Sequence, residues 1–159
     1  MATARGCDMA QEIEFRLAGP DDAEPIRALT RAAYARWVAL IGREPAPMTA
    51  DYEAAVRAHR FDLLYVEGEL AGLVETVDEV DCLLVENVAV APDRQGEGLG
   101  RILMGRAEEV ARELGRPGLR LFTNRLMAAN IRLYERLGYR TDGEEDLGFA
   151  VRVNMSKRL

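Results

Sequence analysis

Two short stretches carry residues whose types and spacing could do chemistry. The first is Val85-Glu86-Asn87-Val88-Ala89-Val90-Ala91-Pro92-Asp93-Arg94-Gln95-Gly96-Glu97-Gly98-Leu99-Gly100-Arg101, a run of Val and Ala followed by three glycines at alternate positions. Val88 and Val90 fall on one side of a strand and Ala89 and Ala91 on the other. Pro92 ends it, having no N–H for a ladder. The glycines strip side chains from a bend that leads into a helix. Several N–H groups then point into open space at the positive end of the helix dipole, which suits a phosphate or pyrophosphate. In the second stretch Asn130 and Tyr134 stand at i,i+4, on one face of a later helix.

Known phosphate signatures differ in their spacing. A dinucleotide fingerprint needs G-x-G-x-x-G, but counting from Gly96 reaches Arg101 and counting from Gly98 reaches Leu103. A Walker loop needs Gly-Lys-Ser/Thr, and Gly100 is followed by Arg101-Ile102. The next strand, Leu119 to Asn124, lacks the terminal carboxylate that would hold a ribose. Gln95-x-x-Gly98-x-Gly100 after a Val- and Ala-rich strand resembles the acyl-CoA-binding motif of the GNAT superfamily of N-acetyltransferases. Asn130-Ile131-Arg132-Leu133-Tyr134-Glu135-Arg136-Leu137-Gly138-Tyr139 is similar to a second segment of that superfamily, of the type N-x-x-x-x-Y-x-x-x-G-[FY], here with Asn and Tyr one turn apart. Alone, the glycines read equally as a tight strand-to-helix connection and Tyr134 as a core aromatic. The two motifs occur in the superfamily's order.

The resemblance implies an acetyl-CoA-dependent N-acetyltransferase that works through a ternary complex and without a metal. In that family the strand before the glycines splays from its neighbour, which would set Val88, Ala89 and Val90 against the pantetheine arm. Amides of Gln95, Gly96, Glu97, Gly98, Leu99 and Gly100 would then meet the pyrophosphate, and Asn130 would also border the cofactor. A backbone N–H near Val90 would polarise the thioester carbonyl. Tyr134 would give a proton to the departing thiolate, since a tyrosine near pKa 10 is neutral at pH 7. Glu86, on the parity of Val88 and Val90, would relay the proton of the attacking amine.

The acceptor is expected to be a small amine or an amino-acid-like molecule. Glu44, Asp51, Glu75 and Glu86 offer partners for an ammonium, Tyr34, Trp37 and Tyr52 aromatic faces, and Arg36 and Arg43 a grip on a carboxylate. The rivals are a non-catalytic acyl-CoA-binding sensor, an enzyme for peptide or protein amines, and one for longer acyl donors. Asn124 reads equally as a binder and as a loop-satisfying side chain. His59 reads first as an ordinary helix-end residue.

These residues need elements to hold them. Ile13 to Leu17 alternates as a strand, and Ile26, Leu29, Ala33, Trp37 and Leu40 give a helix from about Ala23 to Ala39. A Pro-stiffened connection follows, and Thr49 is the expected cap of a short helix to His59. Phe61 to Val66 and Leu70 to Val77 read as a hairpin across Gly68, and Cys82 to Val90 as the central strand. Leu99, Leu103, Ala107, Val110 and Leu114 stripe a helix closed by Gly115. A short strand from Leu119 to Phe122 and a helix from Met127 to Leu137 come next. A last hairpin pairs Tyr139 to Thr141 with Phe149 to Met155 across an acidic tip, Glu144-Glu145-Asp146. The order predicts an α/β (α+β three-layer) domain around a mixed, largely antiparallel sheet, the fold the resemblance also implies.

Length and composition agree with one domain. The chain has 159 residues, 48% hydrophobic and 30% charged, with a net charge of −6. Residues 1–10 read as a flexible leader and 11–159 as a single N-acetyltransferase domain. The acidic balance argues against a nucleic-acid surface and weakly favours cationic ligands. Cys7 and Cys82 lack metal-ligand spacing, and no run reaches membrane-spanning length. The expected location is the cytoplasm, with no membrane or nucleic-acid partner; a homodimer is left open.

Overall fold

The computed structural model describes residues 11–159. The expected leader, residues 1–10, and Cys7 within it lie outside the described residues. The elements run β1 (Ile13–Leu17), α1 (Ala23–Ile41), α2 (Tyr52–Ala58), β2 (Arg60–Val66), β3 (Glu69–Asp78), β4 (Leu83–Val90), α3 (Leu99–Glu113), β5 (Gly118–Asn124), α4 (Ala128–Arg136), β6 (Arg140–Asp146) and β7 (Val151–Arg158). Seven strands form one sheet in the order β1-β2-β3-β4-β5-β7-β6. Every neighbouring pair is antiparallel except β4 and β5.

Each face of the sheet is covered by a helical layer. On one, Ile26, Leu29 and Ala33 of α1 and Tyr52 and Val56 of α2 pack against Phe61, Leu63, Leu73 and Ala89. On the other, Leu99, Leu103, Met104, Ala107 and Val110 of α3 pack against Leu64, Val74, Val85, Leu121 and Met155, with Tyr134 of α4 and Leu137 just after it beside them. A fully buried Leu or Ile contributes about 1.5–3 kcal/mol, and these two layers fix where β4 and β5 can lie.

Two local expectations are corrected. The cap of α2 is Asp51, not Thr49; its carboxylate accepts from the Ala54 N–H at 3.1 Å. The acidic Glu144-Glu145-Asp146 is not a turn but the end of β6, paired with Val153, Arg152 and Val151 of β7. Arg152 and Asn154 hold the Glu145 carboxylate at 2.9 Å, and an edge strand with a solvated face tolerates such charge. The turn itself is residues 147–150, closed by Leu147 N–H donating to Ala150 O at 2.8 Å.

Candidate active site

Strands β4 and β5 run side by side only at Leu83–Leu119, Leu84–Arg120 and Val85–Leu121. Beyond that point β4 continues on β3 and β5 continues on β7, so a wedge opens between them. A bulge marks the parting: Thr76 lies opposite Val85 and Glu75 opposite Asn87, leaving Glu86 as the extra residue. Simple alternation therefore does not run through the strand: Leu83 and Val85 pack on the α3 side, as Val88 does after the bulge. The parity that linked Glu86 to Val88 and Val90 is broken there. Glu86 is exposed at the cavity edge.

The ladder decides which backbone groups face the wedge. Ala91 N–H donates to Ala71 O at 2.8 Å, so Ala91, Ala89 and Asn87 form the bonded set with β3. The N–H and C=O groups of Val88 and Val90 point the other way, into the gap. Their carbonyls accept there from the Tyr34 hydroxyl (3.3 Å) and the Gln95 side-chain amide (3.2 Å). Ala89 instead gives its backbone to β3 and its methyl to the core.

A groove of about 500 Å³ runs from this wedge past the Gly-rich turn. Gly96 (φ 87°) and Gly98 (φ 82°) adopt the left-handed conformation that an L side chain resists. Gln95, Gly96, Gly98, Leu99 and Gly100 all border the groove. Leu99 sends its side chain into the core. Glu97 does not border it; its carboxylate sits 3.8 Å from Arg94. Arg36, Arg94, Arg101 and Arg136 add positive charge that the motif spacing did not reveal. Arg36 is also stacked at 4.5 Å on Trp37 and donates to Gln95 Oε1 at 3.0 Å. Trp37 and Arg36 thus belong to this groove, not to the acceptor region where the sequence put them. Free N–H groups, a helix N-terminus and arginines suit a polyphosphate with an extended tail in the wedge, the shape and charge of coenzyme A.

A second cavity, of about 730 Å³, lies on the α1–α2 side. Glu44, Asp51, Glu75 and Glu86 line it with Arg43 and Arg152. Glu44 is paired with Arg31 at 2.8 Å, which holds its carboxyl below the usual range. Asn87, buried on the floor, accepts from the Tyr34 hydroxyl at 3.0 Å and donates toward Thr30 and Tyr52 at 3.4 Å. Burial raises the Tyr34 hydroxyl and pushes that of Tyr52 up to about 12. Asn124 borders the cavity while its Oδ1 accepts from Leu126 N–H at 2.9 Å, the loop-satisfying role.

The pair that sequence reading passed over is His59 and Glu75, joined Nδ1 to Oε1 at 2.6 Å. Glu75 is 4% exposed, and burial raises its carboxyl above the ordinary value. They lie on different elements, so no spacing rule links them. The available signal was a lone carboxylate inside Leu73-Val74-Glu75-Thr76-Val77.

Tyr34, Val88, Asn130 and Tyr134 border both spaces. Tyr134 is half-buried, and its surroundings push its hydroxyl up to about 12 by desolvation alone. A hydroxyl that keeps its proton at neutral pH thus stands where the groove and the cavity meet.

The family model for acetyltransferase (GNAT) matches residues 26–139. The chain belongs to that family. Its seven-stranded mixed sheet and four helices are the GNAT fold. A curated relative, streptothricin acetyltransferase from Streptomyces lavendulae, is 36% identical over 75 residues, 46% of this chain and 40% of that one. The match therefore spans less than half of the relative's length. Among solved structures, nourseothricin acetyltransferase has 27% identity and a TM-score of 0.70, over 92% of this chain and 98% of that one. PaiA N-acetyltransferase from Thermoplasma acidophilum, solved in complex with coenzyme A, superposes with a TM-score of 0.75 at 17% identity, over 93% and 99%. Among the described residues no helix is long and apolar enough to cross a membrane.

Proposed function

We propose that this chain transfers the acetyl group of acetyl-CoA directly to a primary amine of a small, cationic or amino-acid-like molecule. The observation that carries this reading is the shared border. A polyphosphate-compatible groove and a carboxylate-lined cavity meet at Tyr34, Val88, Asn130 and Tyr134. Acetyl-CoA would supply the activated thioester. Amides of Gln95 to Gly100 with Arg36, Arg94, Arg101 and Arg136 would hold its phosphates, and the Val88 and Val90 edge of β4 its extended arm.

The chain's own groups supply the rest. The N–H groups of Val88 and Val90 face the wedge and donate to an oxygen placed there, stabilising charge that develops on it. Tyr134 keeps its proton at neutral pH and gives it to the leaving sulfur. Glu86, exposed at the cavity edge, passes the amine's proton to water. Carboxylates on the cavity wall favour an ammonium, and a cavity of about 730 Å³ suits a small molecule. The activities for which the streptothricin and nourseothricin relatives are named support an amine-bearing small molecule.

A thiol-release assay with acetyl-CoA and four acceptors tests this: nourseothricin, spermidine, L-lysine and a peptide with a free N-terminus, with mass spectrometry locating the acetyl group. Turnover of one or more of the first three is expected. Acetylation of the peptide alone would remove the small-acceptor reading, and no release with any of the four would remove the enzyme reading.

A further inference from the structure

His59 and Glu75 take no part in the proton transfers described so far, yet they line the acceptor cavity. We propose that His59 is the group that first takes the acceptor's proton, on Nε2, while Glu75 holds the ring through Nδ1. The proposal rests on the acetyltransferase reading above and deepens it.

The geometry is that of an oriented base. His59 ends α2, its backbone N–H fixed to Ala55 O at 2.7 Å. Its Nδ1 lies 2.6 Å from Glu75 Oε1. A carboxylate accepts only, so in the neutral ring Nδ1 carries the proton and Nε2 is left with a lone pair. No partner for Nε2 occurs among the described residues. Glu75 sits directly opposite Asn87 on β4, about 5.5 Å away between Cα atoms in a bonded pair. Val88, which borders both spaces, is the next residue. The pair therefore stands one strand from the meeting point of groove and cavity.

Burial explains why the carboxylate matters. Withdrawn from water, the Glu75 carboxylate keeps a short hydrogen bond to Nδ1 and holds the ring in one orientation and one tautomer. Glu86 is exposed and lacks this leverage, which fits it for handing protons to water. The step balances. The acceptor enters as an ammonium with three protons; one moves to His59 Nε2. The freed lone pair forms the N–C bond as the C–S bond breaks. The second proton stays in the amide. The third goes to the Tyr134 oxygen and replaces the one that this hydroxyl gave to sulfur.

His59 is the only histidine in the chain, so one labelled signal reports on it. In ¹⁵N-histidine-labelled protein without any ligand, the neutral ring should be the Nδ1–H tautomer, and Glu75→Gln should redistribute it toward Nε2–H. A wild-type Nε2–H tautomer would overturn the proposal. With the fastest of the four amines as probe, His59→Ala should lose roughly 10²-fold in kcat, and added imidazole should restore at least part of the loss. Full turnover in a folded His59→Ala protein, or a loss that imidazole does not touch, would sink the proposal and leave the acetyltransferase reading standing. Wild-type protein that releases no thiol with any amine would remove both.

Discussion

Gln95 donates from its side-chain amide to the carbonyl oxygen of Val90 at 3.2 Å, and its own Oε1 accepts from Arg36 at 3.0 Å. One side chain thereby ties the end of β4 to the Gly-rich turn and to α1. The turn is held open as a cradle before any ligand arrives, which reduces the ordering cost of binding.

Gly98 is one of the two left-handed glycines of that cradle. Its φ of 82° disfavours any side chain, and an Asp there adds negative charge beside the proposed phosphate site. Gly98→Asp should weaken acetyl-CoA binding at least tenfold, or about 1.4 kcal/mol, with the fold intact by circular dichroism. Calorimetry giving the wild-type affinity would show that the phosphates lie elsewhere.

Tyr134→Phe keeps the ring packed against the α3 core and removes one oxygen. Turnover should fall roughly 10²-fold with acetyl-CoA affinity little changed. Glu86→Gln should lose less, because water can replace an exposed relay. Equal kcat for wild type and Tyr134→Phe would make Tyr134 a packing residue.

The pH dependence follows from the sign of the Tyr134 shift. Burial favours the neutral hydroxyl and pushes it up to about 12. The proton donor therefore stays loaded through pH 10, where an ordinary tyrosine is half ionised. The ratio of wild-type to Tyr134→Phe turnover should be flat from pH 7 to 10. The same shift contributes stability that is present below pH 10 and lost as pH rises through about 12. A ratio that collapses by pH 9 would contradict this assignment.

Two glycines away from the site should respond in opposite directions. A Cβ at Gly118 would meet the backbone oxygen of Lys157 at 2.6 Å, in the β5–β7 ladder, where neither can swing away. Gly118→Ala should cost about 1–3 kcal/mol. Gly105, inside α3, has open space around it, so Gly105→Ala should stabilise by about 0.5–1 kcal/mol. Denaturant midpoints measure both.

The motif residues were legible because their roles are local. Gly98 needs positive φ, Pro92 cannot pair, and Asn130 and Tyr134 share a helix face by spacing alone. Element order was readable for the same reason, from the stripes of α1 and α3 and the alternation of β1. The acidic end of β6 misled because charge in a strand is disfavoured only where it is buried, and β6 is an edge. The bulge at Glu86 left no mark in the Val-rich run, since it is set by register against β3. His59 and Glu75 met through the packing of α2 on β3, a contact 16 residues apart that no period encodes. Trp37 was placed by chain proximity to the acceptor loop, whereas the turn of α1 points it at the groove.

Among the described residues, the three pairs that join β4 to β5 are all that connect the two halves of the sheet along its ladder. Beyond Val85 and Leu121 the sheet is short of one strand. An extended chain laid along Val88 and Val90 would act as that strand, in the manner of β-augmentation. Ligand binding then becomes partly a mechanical event. Amides flanking the wedge should exchange with solvent more slowly in the complex, and the stiffening should reach β7 through β5.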